Sequence, residues 1–138
     1  MVPSFVAFYA VVIVLFSLLY FFFASIPFLF VRLDVPEVAQ LFRGLFNAYF
    51  WMVAVTGFVA TAAFAASGRI GFMAGMLLLA ASALALRDRT LQRIDDQQDA
   101  CRAGDGTAMR RLRVVHWSSM AANLLVVATV CSGVPYIL

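Results

Sequence analysis

The chain has 138 residues, of which 64% are hydrophobic, and it carries a formal net charge of +3. Soluble domains of this size are usually about half apolar, so this composition excludes a water-soluble globule and indicates a protein embedded in lipid. The basic residues are all arginines and they border apolar blocks, a pattern typical of membrane topology that argues against a nucleic-acid partner.

The first apolar block runs from about Pro3 to Val31 without a charged residue. It is long enough to cross a hydrocarbon core about 30 Å thick, so it predicts a membrane span over about residues 4–31. A cleaved signal peptide is the alternative, but no positive segment precedes the block, and the block exceeds the apolar core of such peptides. Pro27 should kink or end this helix.

A second helix is predicted to begin near Val35. Asp34 suits an N-cap, Pro36 suits the first turn, and Glu37 would complete a capping box.

The second helix has two parts. Its opening, about residues 35–44, is amphipathic and predicts a helix in the membrane interface. It continues into a second span over about residues 45–66. Tyr49 and Trp51 lie near the start of that span, as residues of an aromatic belt do.

The rest of the chain predicts two more spans, over about residues 70–86 and 114–133. Between them, residues 87–113 form a polar segment broken by glycines, with Thr107 as a candidate N-cap. Apolar residues recur at helical spacing on both sides of the break, which predicts a helical hairpin.

The arginines orient these spans. Seven of the ten fall between Arg87 and Arg113, and only Arg69 lies on the opposite side. The positive-inside rule then places the arginine-rich segments in the cytoplasm and both termini outside. The topology-setting residues are Arg32, Arg43, Arg87, Arg89, Arg93, Arg102, Arg110, Arg111 and Arg113.

The predicted fold is therefore all-α: a four-helix integral membrane bundle, N-out/C-out, with a cytoplasmic helical hairpin between spans three and four. It forms a single domain over residues 1–138. The predicted location is the inner membrane of a bacterium.

His116 is the only histidine and lies about one turn into the fourth span. Ser119 and Asn123 follow it at helical spacing, so the three share one face. One interpretation is interior polar packing, in which these side chains hydrogen-bond to neighbouring helices. The alternative is that His116 binds a cofactor, either haem or copper.

Two other patterns are less specific indicators of function. Gly71 and Gly75 form a GxxxG motif, and Gly57 and Thr61 begin a stripe of small residues; both favour close helix contacts, within the chain or in a homodimer. Four methionines raise a copper hypothesis, for which ordinary packing is the alternative. They are Met52, Met73, Met76 and Met120.

Asp95 and Asp99 stand at i, i+4 and raise a divalent-cation hypothesis. Arginines lie nearby, which favours a charge-balanced, solvated face instead.

Several segments resemble the family of small integral membrane proteins similar to transmembrane protein 205. The similar pieces are Pro27 with Phe30, residues 45–50, and above all residues 113–124, which contain a His-x-x-Ser…Asn stretch. The family tends to have glycines in the middle of its first helix, and residues 14–20 have none. The resemblance implies a four-helix membrane bundle without an established activity.

Three functional hypotheses follow. The first is a membrane protein without a catalytic site, acting as an accessory or assembly subunit or as a homo-oligomer, with the lipid bilayer, other subunits or itself as partners. The second is a haem- or copper-binding redox protein that uses His116. The third is a small transporter. It has the least support, because the predicted spans contain no carboxylate and no broken central helix to mark a translocation pathway.

Overall fold

The computed structural model describes residues 4–138 and is built from four α-helices. They are α1 (Ser4–Ser25), α2 (Pro36–Ala66), α3 (Ile70–Arg102) and α4 (Ala108–Gly133). All four are long and apolar enough to cross a membrane, as the sequence predicts. Pro3, where the predicted apolar block begins, lies outside the described residues.

Successive helices run in opposite directions, so the bundle has two ends. The Arg69 end carries the turn between α2 and α3 together with the end of α4. The arginine-rich end carries residues 26–35, the start of α2, the end of α3 and the start of α4. At the Arg69 end, Gly68 adopts a φ of +72° and reverses the chain within three residues, a conformation that favours glycine.

Short 3-10 turns end the first and last helices. The α-helical part of α1 stops at Ser25, and Ile26–Leu29 continues as a 3-10 turn that contains Pro27. This agrees with the expected effect of a proline that lacks an N–H donor. Val134–Tyr136 forms a similar turn after α4.

The N-cap predicted for α2 is wrong, whereas the N-cap predicted for α4 is correct in position and makes no side-chain cap. The N-cap of α2 is Val35, without a side-chain cap, because the Asp34 carboxylate pairs with Arg32 at 2.8 Å instead. Thr107 does stand at the N-cap of α4, but its hydroxyl donates to the Asp105 carboxylate at 2.8 Å rather than accepting from the helix.

The centre of the bundle is packed with aromatic rings, chiefly from α2. Phe42 and Phe46 are fully buried, with ring centroids 5.0 Å apart in an edge-to-face arrangement. Phe21 of α1 packs edge-on against Phe46 at 5.2 Å. Edge-to-face pairs are favourable because the positive rim of one ring meets the negative face of the other.

The most extensive helix contact joins α2 and α3. It continues beyond the apolar part of α3, where Gln98 donates to the Ala39 carbonyl at 2.9 Å. The hairpin predicted from residues 87–113 is therefore also packed against the start of α2. With 33 residues, α3 is about 50 Å long, well beyond a hydrocarbon core of about 30 Å.

Candidate functional site

His116 lies in an aromatic pocket near the arginine-rich end. Its side chain is fully buried, and the rings of Phe42 and Phe46 stand edge-on to it at 5.3 and 6.5 Å. Neither ring nitrogen has a hydrogen-bond partner within the described part of the chain. An unpartnered buried polar group is costly, so this imidazole is either a strained packing group or a ligand for something else.

Asn123, two turns further along α4, makes the interior hydrogen bonds that the polar-packing interpretation requires. Its amide nitrogen donates to the Leu18 carbonyl of α1 at 3.0 Å, and its oxygen accepts from the Tyr49 hydroxyl of α2 at 2.9 Å. One side chain thus joins three helices. Ser119 is half-buried between the two other polar residues.

A second polar contact joins α1 to α2. The Thr56 hydroxyl donates to the Met52 carbonyl of its own helix at 2.7 Å, and its oxygen accepts from the Ser17 hydroxyl at 3.3 Å. The single Ser17 proton is shared with the Ile13 carbonyl, one turn back in α1, at 3.2 Å. Such back-bonding satisfies hydroxyls inside an apolar bundle.

The residues around His116 do not fit a haem. Porphyrin would have to replace the rings that close over the imidazole. A copper(I) ion needs much less space than a porphyrin, and a second ligand for it is available. Met120 follows His116 at i+4 on the same helix face and is also buried. Imidazole and thioether are both ligands that this ion accepts.

The four methionines do not form one site. The backbone of Gly57 packs against Ala80. Met76 lies four residues from this contact toward the Arg69 end, and Met52 lies five residues from it toward the arginine-rich end. That offset is roughly 14 Å along the helices.

Both carboxylates of the acidic pair are bound by arginines. Asp95 is held by Arg43 through two bonds of 2.7 and 3.1 Å, and Asp99 pairs with Arg102 at 3.3 Å. Within residues 4–138 there is no group of three or more His, Cys, Asp or Glu side chains placed to hold a metal ion.

The small residues fall into two classes. A Cβ on Gly57 would stand 2.9 Å from the Ala80 Cβ, so this glycine allows α2 and α3 to touch. Thr61 is half-buried and donates to the Gly57 carbonyl at 2.8 Å. A Cβ on Gly71 or Gly75 would meet no atom of residues 4–138 within 4 Å, so the GxxxG motif makes no close helix contact in the described part of the chain.

The arginines at the arginine-rich end bind other helices as well as solvent. Arg113 donates to the Leu29 and Val31 carbonyls at 3.2 and 2.9 Å, which satisfies two carbonyls in the segment that follows α1. Arg87 donates to the Asn47 side chain at 2.9 Å, and its guanidinium lies 5.3 Å from the Trp51 ring centroid.

The remaining arginines are on the surface. The side-chain hydrogen bond from Arg32 lowers the pKa of the Asp34 carboxyl, and Arg111 pairs with Asp105 at 3.3 Å. Three more are exposed: Arg89, Arg93 and Arg110.

An apolar groove of about 490 Å³ separates α3 from α4 on the outer surface. Its walls include Gly71, Gly75 and Leu78 of α3 and Leu125 of α4, and its floor includes Val11 of α1. Leu78 and Leu125 are 69% and 72% exposed, so the groove is open to whatever surrounds the bundle.

Sequence reasoning missed two contributors. Tyr49, predicted for the aromatic belt, is half-buried and holds Asn123. Arg113, predicted only as a topology signal, bonds the segment that follows α1. The sequence around each residue contains no signal of these partners, because both partners are distant in the chain.

No protein-family model, curated protein or solved structure matches the chain. The resemblance to proteins similar to transmembrane protein 205 therefore stays a prediction.

Proposed function

We propose that this protein is a non-catalytic integral membrane subunit that works by packing against other membrane helices. The partners are subunits of a larger complex or further copies of the same chain. The observation that carries the proposal is the outer surface of α1, described next.

An exposed aromatic seam runs along α1 at alternating spacings of four and three residues. It consists of Tyr9, Ile13, Phe16, Tyr20 and Phe23, whose exposed fractions are 62, 49, 72, 44 and 65%. This spacing keeps side chains on one line of a helix, as in helices that pack along a common seam. Large rigid aromatic side chains also dominate contact energies at protein interfaces.

The proposed setting is the inner membrane of a bacterium, with the arginine-rich end in the cytoplasm and both termini outside. The positive-inside rule supports this orientation. Membership of the family resembling transmembrane protein 205 would be consistent with a four-helix bundle without a catalytic site.

Native mass spectrometry of the protein extracted gently from its own membrane tests the proposal. We expect added protein chains, either identical or different. Phe16→Ala should reduce the assembled fraction, whereas Phe58→Ala, an exposed phenylalanine on α2, should not. A chain that carries only lipid, in the wild type as well, would contradict the proposal.

A second candidate is a copper(I)-binding redox protein that uses His116. The unpartnered ring nitrogens favour it, and the buried Met120 favours copper over haem. The ion would supply one-electron chemistry, and the two side chains would hold it away from water.

A competition titration against a chromophoric copper(I) chelator separates the two candidates. Copper binding that is lost in both His116→Ala and Met120→Leu, and kept in Ser119→Ala, would support the redox function. No copper uptake and no haem absorbance in the wild type would exclude it.

A further inference from the structure

One end of the groove between α3 and α4, its mouth, lies near Arg69. This arginine stands two residues before the lining residue Gly71 and donates to the carbonyl of Tyr136, the neighbour of the lining residue Ile137. We propose that this groove binds one acyl chain of an anionic phospholipid, whose phosphate pairs with Arg69. The inference rests only on the four helices crossing a bilayer, and it is independent of which protein partners the bundle has.

The length of the groove matches one leaflet. Along α3 it extends from Gly71 to Ser82, a rise of roughly 16 Å. Half of a hydrocarbon core about 30 Å thick is about 15 Å. An acyl chain lying in the groove would therefore reach from the headgroup level to the bilayer centre.

The lining of the groove suits an acyl chain. Only Ser82 and Thr129 contribute polar side chains to it, and the Thr129 hydroxyl donates to the Leu125 carbonyl of its own helix at 2.8 Å. The other lining residues are apolar or glycine, so hydrocarbon can cover this surface at little cost in unsatisfied polar groups.

The charge at the mouth selects the headgroup. Arg69 is half-buried beside Gly71, and one terminal nitrogen donates to the Tyr136 carbonyl at 3.2 Å. This contact fixes the guanidinium while using one of its five N–H donors.

The Arg69 end also has no competing anion among its side chains. All seven Asp and Glu residues of the chain occur between Asp34 and Glu37 or between Asp88 and Asp105, at the opposite end. Arginine binds phosphate through paired donors, so an unpaired guanidinium at headgroup level is suited to an anionic lipid.

Binding of defined lipids to the delipidated protein tests this site. The probes are phosphatidylglycerol and phosphatidylcholine with identical acyl chains, followed by native mass spectrometry. We expect one tightly bound phosphatidylglycerol in the wild type. Arg69→Gln should weaken it by about fivefold and bring the two lipids level.

Variants that fill the groove complete the test. Gly75→Leu should abolish tight binding, and Gly44→Leu, an equally open helical glycine, should leave it unchanged. If Gly75→Leu fails to fold, Leu125→Trp replaces it, because this substitution fills the groove from α4 and should also abolish tight binding. Equal binding of both lipids to every variant would overturn the proposal. A dimer that Gly75→Leu dissociates, without lipid selectivity, would assign the groove to a second copy instead.

Discussion

At the scale of single residues, Asn123 joins three helices of the bundle through its side-chain hydrogen bonds. It accepts from Tyr49 and donates to the Leu18 carbonyl, so three helices meet at one amide. Hydrogen bonds between membrane helices contribute modestly, because the alternative states also find polar partners.

A double-mutant cycle measures this contact. We expect Tyr49→Phe and Asn123→Leu to show a coupling of about 1 kcal/mol in the free energy of unfolding in detergent. The matched pair Ser118→Ala with Tyr49→Phe should show none, because Ser118 bonds only its own helix at Val114. Additive effects for Tyr49 and Asn123 would mean that the bond contributes nothing.

At the scale of helices, the contact of Gly57 with Ala80 sets how closely α2 approaches α3. Gly57→Ala would place a Cβ 2.9 Å from the Ala80 Cβ, so one helix must shift. We expect a loss of about 1–3 kcal/mol in the free energy of unfolding. Gly71→Ala is the control, with open space around it, and should be neutral or slightly stabilising.

The loop between α3 and α4 gives a prediction about pH. The backbone N–H of Thr107 donates to the Asp105 carboxylate and lowers the pKa of that group below its ordinary 3.8. A lowered pKa means that the ionised form stabilises the folded state. The contribution is present above about pH 4 and is lost as the pH falls through the lowered value.

Asp105→Asn should therefore be less stable than the wild type at neutral pH, and the difference should shrink as the pH falls through the lowered pKa of Asp105. Thermal unfolding in detergent at neutral pH and at a series of acidic pH values measures it. A difference that stays constant with pH would show that the carboxylate charge is not the cause.

The two turns were predictable because their signals are local. Ser67-Gly68-Arg69 and Ala103-Gly104-Asp105-Gly106 cluster glycine with polar or small residues between apolar segments, a pattern typical of turns. Asp34 misled the prediction because Arg32, two residues away, offers its carboxylate a charged partner. The local sequence does not reveal whether Asp34 is more stable in an ion pair with Arg32 or as the N-cap of α2.

The partners across helices were not predictable for another reason. α1 is apolar on every side, so its pattern does not say that Val14 is buried and Phe16 exposed. The rotation of each helix about its axis depends on the shapes of all its neighbours. Tyr49 and Asn123 lie 74 residues apart, and only the packed bundle brings them together.

At the scale of the whole molecule, labelling of introduced cysteines tests the orientation proposed from the arginines. In a background of Cys101→Ser and Cys131→Ser, Ala66→Cys reports on the Arg69 end and Ala103→Cys on the other. Both positions are exposed. A membrane-impermeant maleimide should label Ala66→Cys in intact cells and Ala103→Cys only after the membrane is opened. The reverse pattern would invert the topology.

The uninterrupted length of α3 has a mechanical consequence. No proline or glycine follows Gly75 in this helix, and two contacts with α2 hold it at separate heights, Gly57–Ala80 and the hydrogen bond from Gln98 to Ala39. These two contacts lie roughly 27 Å apart along α3. A rod held at two separate heights cannot pivot on one of them, so a displacement at the arginine-rich end would move α2 and α3 together as one rigid body.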